Sequence, residues 1–215
     1  MAGSGSAHGA LGRREARKHD RRAAIIEVAR ALFFERGYAD TPMSLIASRV
    51  GGSKTTLWSY FPSKADLFAA VLDEVTARLQ GRSIEALSLE TGIKEGLYRF
   101  CLAFSDMILT DEAVRLQRMI AAEAQRFPEL GKLFYERGPK ATLRRLEHYL
   151  GTAMAVGKLR PADPTLAARH LVSLCQGATL SWRLWNAGPE PTPEQVERDV
   201  ALGLDVFLRA YAPGP

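Results

Sequence analysis

No stretch of this 215-residue chain holds eighteen consecutive apolar residues, and its start lacks the organisation of a secretory leader. Membrane insertion and export are therefore disfavoured, and a cytoplasmic location is expected. Only two cysteines occur, Cys101 and Cys175, far apart in sequence and each within a helical pattern. They read as small core residues, with a redox sensor as the lesser alternative. The four histidines, His8, His19, His148 and His170, have no second ligand at a metal-like spacing, so no metal is expected. A phosphate loop, a G-x-S-x-G elbow and paired carboxylates are also missing, which leaves no catalytic residues and no cofactor to name. Beyond Gly81 there is no β-strand signature, and the expected fold class is all-α.

Charge is present but uneven. Of 29 basic and 24 acidic residues, eleven and five lie within residues 1–64, so that segment carries +6 and the remainder −1. A basic head on a nearly neutral body concentrates attraction to a polyanion at one end, although solvated surface charge alone can produce such a bias. The first twelve residues, MAGSGSAHGALG, are rich in glycine and small side chains and are expected to be disordered. Arg13, Arg14, Arg17, Lys18, Arg21 and Arg22 follow. This basic arm, residues 1–20, either lies along a phosphate backbone or is the solvated start of the first helix.

The most informative stretch is TPMSLIASRVGGSKTTLWSYFPSK, Thr41 to Lys64. Thr41 is placed to cap a helix and Pro42 suits its first turn, while Met43, Ile46, Ala47 and Val50 recur at three- and four-residue steps as one buried stripe. Gly51 and Gly52 permit a sharp reversal, Ser53 caps a second helix, and Leu57 and Phe61 face inward. Lys54, Thr55, Thr56, Trp58, Ser59 and Tyr60 are left pointing outward. This is the grammar of a helix-turn-helix, and hydroxyls with one ammonium suit phosphate oxygens and base edges. The same grammar also occurs in proteins that never touch DNA.

The successive phrases GYADT, LIA, VGGSKTTLWSYF and PSKADLF, over residues 21–70, resemble the tetracycline-repressor (TetR) family. The resemblance implies double-stranded operator DNA as a partner and a site of Thr41, Ser44, Ser53, Lys54, Thr55, Thr56, Trp58, Ser59, Tyr60 and Lys64. Ser44, Lys54, Thr55 and Ser59 are its base readers, and Lys64, Thr56, Tyr60 and the helix N-termini its phosphate contacts. Three positions depart from the common pattern: Gly52 replaces a branched apolar residue, Val50 an alanine and Trp58 a tyrosine. Trp58 offers only an N–H donor, so the tyrosine's role transfers to it less securely.

Around this motif, helices are expected from Arg21 to a glycine cap at Gly37 and from Ser63, capped with Asp66, to Gly81. Beyond lie stripes through Ile93–Ile108 and Leu116–Ile120, a segment from Glu129 to Val156 broken at Gly138–Pro139, and final helices over 164–187 and 193–211. The organisation expected is an arm (1–20), a three-helix DNA-binding domain (21–66) and a helical effector-binding and dimerisation body (67–215).

The last two helices carry apolar stripes on more than one face. With the resemblance they imply a homodimer through Leu171, Leu174, Ala178, Val200, Leu204 and Phe207, against a monomer core as the plainer alternative. RFPELGKLFYERGP, Arg126 to Pro139, further resembles AefR-like members. The family's body cavity then has Phe100, Phe104, Met107, Met119, Glu123, Phe127, Phe134 and Trp182 as candidate lining for a small-molecule effector, residues that serve equally as ordinary core. Glu123 either selects a cation or donor group or pairs at the surface with Arg126. The expected function is a homodimeric repressor released from a palindromic operator by its effector. A helical protein-interaction module is the alternative, and a helical enzyme ranks third.

Overall fold

The computed structural model describes residues 5–85, 87, 90 and 92–213, and among these the only regular elements are helices. They are α1 Gly5–Arg36, α2 Met43–Val50, α3 Lys54–Tyr60, α4 Lys64–Glu85, α5 Ile93–Leu109, α6 Asp111–Glu123, α7 Pro128–Arg137, α8 Pro139–Ala155, α9 Pro164–Gln176, α10 Thr179–Trp185 and α11 Pro193–Tyr211. Their boundaries follow local chemistry. Ser53, Ser63, Asp163 and Thr192 each accept a bond from a first-turn amide, and Thr192 with Gln195 completes a reciprocal capping box. The break at Gly138–Pro139 stands where the sequence put it.

Two boundaries differ from expectation. The first helix begins at Gly5 rather than Arg21, while residues 1–4 of the expected arm lie outside the described residues. No proline interrupts residues 5–36, Ala, Arg and Glu favour the helix, and Gly9 and Gly12 cost only about 1 kcal/mol each. Residues 15–20 of this extension are exposed. The expected helix over 164–187 is instead two, because Gly177 takes φ 51° and ψ −151°, a conformation open mainly to glycine.

Two cores organise the packing. The head-side core joins Ile25, Ala29, Leu32 and Phe33 of α1 to Ile46 and Leu57 of the motif and to Leu67–Val75 of α4. Leu116 and Ile120 of α6 and Leu130 of α7 complete it, so apolar packing runs past residue 66 without a seam. The body-side core joins α5, α8, α9 and α11. There α11 closes on α9 at Gly203, where a Cβ would stand 2.7 Å from the Leu174 carbonyl oxygen, so only glycine fits without a backbone shift.

This packing corrects the expected dimer surface. Leu171, Val200, Leu204 and Phe207 are all buried in the protomer's own body-side core. Their periodicity was that of a core stripe, which looks identical in sequence to an interface stripe. Leu174 is half-buried and only Ala178 is exposed. The exposed large apolar residues of these helices are Leu166, Trp182, Trp185, Leu202 and Val206.

Candidate nucleic-acid interface and body cavity

Gly51 ends α2 in the left-handed conformation, φ 73° and ψ 46°, and the amides of Gly51 and Gly52 return to the carbonyls of Ser48 and Ala47. The chain is thereby turned into α3, where Ser53 Oγ accepts from the Thr56 amide at 3.1 Å and lies 2.9 Å from its hydroxyl. Leu57 and Phe61 are buried, and Arg22 of α1 stands over the Phe61 ring at 5.2 Å. Held this way, α3 exposes Ser53, Lys54, Thr55, Thr56, Trp58 and Ser59, with Tyr60 half-buried beside them and Ser44 half-buried on α2. Of the outward set expected from the sequence, Lys54, Thr55, Thr56, Trp58 and Ser59 are therefore open to solvent and Tyr60 partly so.

Two expected members stand elsewhere. Thr41 is fully buried and does not cap α2, whose N-cap is Pro42 without a side-chain bond. The Thr41 hydroxyl donates instead to the carbonyls of Gly37 at 2.7 Å and Leu32 at 3.2 Å, so it ties the end of α1 to the start of α2. Lys64 is half-buried: its ammonium donates to the Tyr38 and Ala39 carbonyls and lies 4.2 Å from the centre of the Tyr38 ring. Burial pushes its pKa down, and the charges of Glu123 and Asp40 push the other way. This lysine fastens α4 to the α1–α2 turn, a geometry that leaves little of its donor capacity for a phosphate.

The same turn is gripped from the body. Glu123, at the end of α6, accepts from the Ala39 amide at 3.0 Å, while Glu112 near its start accepts from Arg30 of α1 at 2.8 Å. The Glu123 carboxylate thus holds the Ala39 amide and is not on the wall of the body cavity. Arg30 also binds Glu27, whose carboxyl that hydrogen bond holds below its ordinary range. Tyr38, packed among Phe33, Phe68 and Phe127, has its pKa pushed up to about 12, mainly by burial and then by the charge of Glu129. The sequence held no local signal for the Glu123 contact, which spans 84 positions.

In the body a cavity of about 130 Å³ opens between α4, α5, α6, α7, α8 and α9. Of the eight expected lining residues Phe104, Met107 and Phe134 are on its wall. Phe100 is buried behind Phe104, with ring centres 5.9 Å apart, and Met119 and Phe127 pack against the head-side core. Trp182 is 55% exposed on α10. For Phe100, Met119 and Phe127 helical spacing shows that they turn inward but not which of two cores they meet, and beyond the break at Gly177 it fails for Trp182. The wall that sequence reading missed includes Thr76, Gln117, Leu143, Val172 and Gln176, and no lining residue is charged. Among the described residues no cluster has the composition of a metal site, and no helix is long and apolar enough to cross a membrane.

A capped, turn-linked helix pair with a polar outer face, set on a helical body, has the form of the helix-turn-helix regulators that bind DNA. The family model for bacterial regulatory proteins of the TetR family matches residues 25–71, and that for the AefR-like transcriptional repressor C-terminal domain matches residues 95–213. The chain belongs to the TetR family of transcriptional regulators. It is similar in structure to the flavonoid-responsive regulator FrrA, with TM-score 0.83 and 36% identity over 92% of this chain and 100% of that one. A TetR-family regulator from Mesorhizobium loti MAFF303099 superposes with TM-score 0.80 and 26% identity, covering 91% and 98%. The HTH-type transcriptional repressor ComR of Escherichia coli (strain K12) is 25% identical over 166 residues, 75% of this chain and 79% of ComR.

Proposed function

We propose that this regulator is a cytoplasmic repressor that binds a palindromic operator as a homodimer and is released when a small molecule enters its body. The observation that carries the DNA reading is the exposed polar face of α3 over a buried Leu57 and Phe61. Ser44, Lys54, Thr55 and Ser59 read bases, while Thr56, Tyr60 and the Trp58 N–H hold phosphates. The two protomers meet through the exposed apolar residues of α9, α10 and α11, including Leu166, Leu202 and Val206.

The effector is an uncharged, hydroxylated aromatic compound of the flavonoid class. Phe104 and Phe134 supply apolar walls, Gln117 and Gln176 supply amides, and the absence of charge in the lining disfavours an ion. The name of FrrA, at 36% identity, points to the same class. About 130 Å³ is well under the roughly 300–1,000 Å³ of cavities that hold drug-sized ligands, so the walls must part as the ligand enters.

That opening is coupled to the head by two helices. Thr76 of α4 and Ala113, Leu116 and Gln117 of α6 line the cavity, and the same helices grip the Tyr38–Ala39 turn through Lys64 and Glu123. A ligand that moves either helix re-aims α3, and it acts only insofar as it favours a head spacing that the operator does not.

Selection of duplexes from a random-sequence pool, followed by sedimentation of the selected complex, tests the reading. Recovery of an inverted repeat bound by two protomers is expected. Failure to enrich any duplex would overturn the repressor reading.

A further inference from the structure

Between the end of α2 and the start of α3, the chain turns under a side chain from a different helix. Arg21 of α1 donates from Nη2 to the Gly51 carbonyl at 3.2 Å, across 30 positions of sequence. Its guanidinium lies directly over Gly52, where a Cβ would stand 2.8 Å from Nη2. Arg21 and Gly52 also share a small crevice with Val50, Ser53, Thr56 and Leu57, so the guanidinium borders the cap that starts the recognition helix.

The two glycines of the turn have different reasons to be glycine. Gly51 is left-handed at φ 73°, so its demand is conformational. Gly52 has no positive φ, so its backbone makes no such demand. Its demand is space, and the only atoms that would crowd a Cβ there belong to Arg21.

We infer that Arg21 is a positioning residue for the recognition helix, clamping the turn by its bond to Gly51, and that Gly52 keeps open the space the clamp occupies. A methyl group at Gly52 pushes aside the flexible end of Arg21 rather than the backbone. Gly52→Ala and Arg21→Ala therefore reach the same unclamped turn by different routes.

The test uses the full-length protein and a duplex that the unmodified protein selects from a random-sequence pool. Arg21→Ala and Gly52→Ala are each expected to weaken binding, roughly tenfold for one partly exposed charge-assisted hydrogen bond, and the double variant to be no weaker than the worse single one. Gly52→Ala should leave the melting temperature unchanged or raised, since alanine restricts the unfolded chain. It removes no charge, so its salt dependence should match that of the unmodified protein. Amide hydrogen exchange over residues 51–57, measured without DNA, should quicken in both single variants. If Gly52→Ala binds and exchanges like the unmodified protein, or if the two losses multiply, the clamp is overturned. A loss confined to Arg21→Ala, with a salt slope lower by about one, would make Arg21 a simple phosphate ligand and overturn it too. Should no duplex be selected at all, the DNA reading fails, and the exchange rates still decide for or against the clamp.

Discussion

Phe33, Tyr38, Phe68 and Phe127 meet in the head-side core with ring centres 5.2–5.5 Å apart, three of the four contacts edge-on. In the body-side core the close rings come in separate pairs, Phe100 with Phe104 and Phe207 with Tyr211, among leucines and alanines, and a cavity opens beside the first pair. Edge-on rings lock one another's orientation, and close packing leaves such a unit few ways to deform. The rings of the head are thus held in one arrangement, whereas the cavity leaves body residues such as Phe104 without packing on one side. Lys64 and Glu123 sit where the two meet.

The largest test separates what is core from what is surface in the last helices. Leu204→Glu would bury an unpaired carboxylate and remove a large share of the ~5–15 kcal/mol that holds a domain folded. Leu202→Glu, 62% exposed in the protomer, should leave the fold intact and convert a dimer to monomers in analytical ultracentrifugation. A folded monomer from Leu204→Glu would reverse the two assignments.

Ring packing gives the next contrast. Phe68→Ala should cost about 3–5 kcal/mol in chemical denaturation, because the close-packed rings around it cannot collapse into the gap. Phe134→Ala, on a half-open cavity wall, should cost about 1–2 kcal/mol and still abolish the response to effector. Phe134 packs against the head-side core as Phe68 does, so equal costs would remove the distinction between close-packed rings and a yielding cavity wall.

Smaller still are effects on coupling. Glu123→Gln keeps the size of the side chain but weakens its hold on the Ala39 amide and the Lys64 charge. Effector should then lower DNA affinity by a smaller factor than in the unmodified protein, with melting temperature nearly unchanged. An unaltered factor in binding titrations would place the coupling elsewhere. The smallest difference concerns two lysines. Lys54→Ala should reduce the salt dependence of DNA binding by about one phosphate's worth, whereas Lys64→Ala should leave it unaltered and instead lower the melting temperature. The reverse pattern would return Lys64 to the phosphate backbone.

How legible each region was in the sequence follows from the range of its interactions. The helix-turn-helix was readable almost residue by residue, because its caps, glycine turn and apolar stripe act within a few positions. Thr41 was misread for the same reason: a threonine before a proline looks like a cap, and only the return of the chain shows its hydroxyl turned to Gly37. Gly52 was visible as a departure from the family pattern, but the guanidinium that fills its space comes from another helix. In the body, helical periodicity separated buried from exposed faces as far as Gly177, where the helix breaks and Ala178 and Trp182 turn outward. It could not say that Leu171 and Phe207 face their own protomer, that Met119 and Phe127 belong to the other core, or that Glu123 reaches Ala39. Those facts depend on contacts between distant segments.

If ligand in the cavity re-aims the recognition helix as proposed, linkage makes the coupling measurable from either side. The direct measurement is the affinity of a cavity ligand, the member of a flavonoid panel that most raises the melting temperature, with and without a saturating selected duplex. The duplex should weaken ligand binding by the same factor by which the ligand weakens duplex binding. Equal ligand affinity in the two titrations would contradict it.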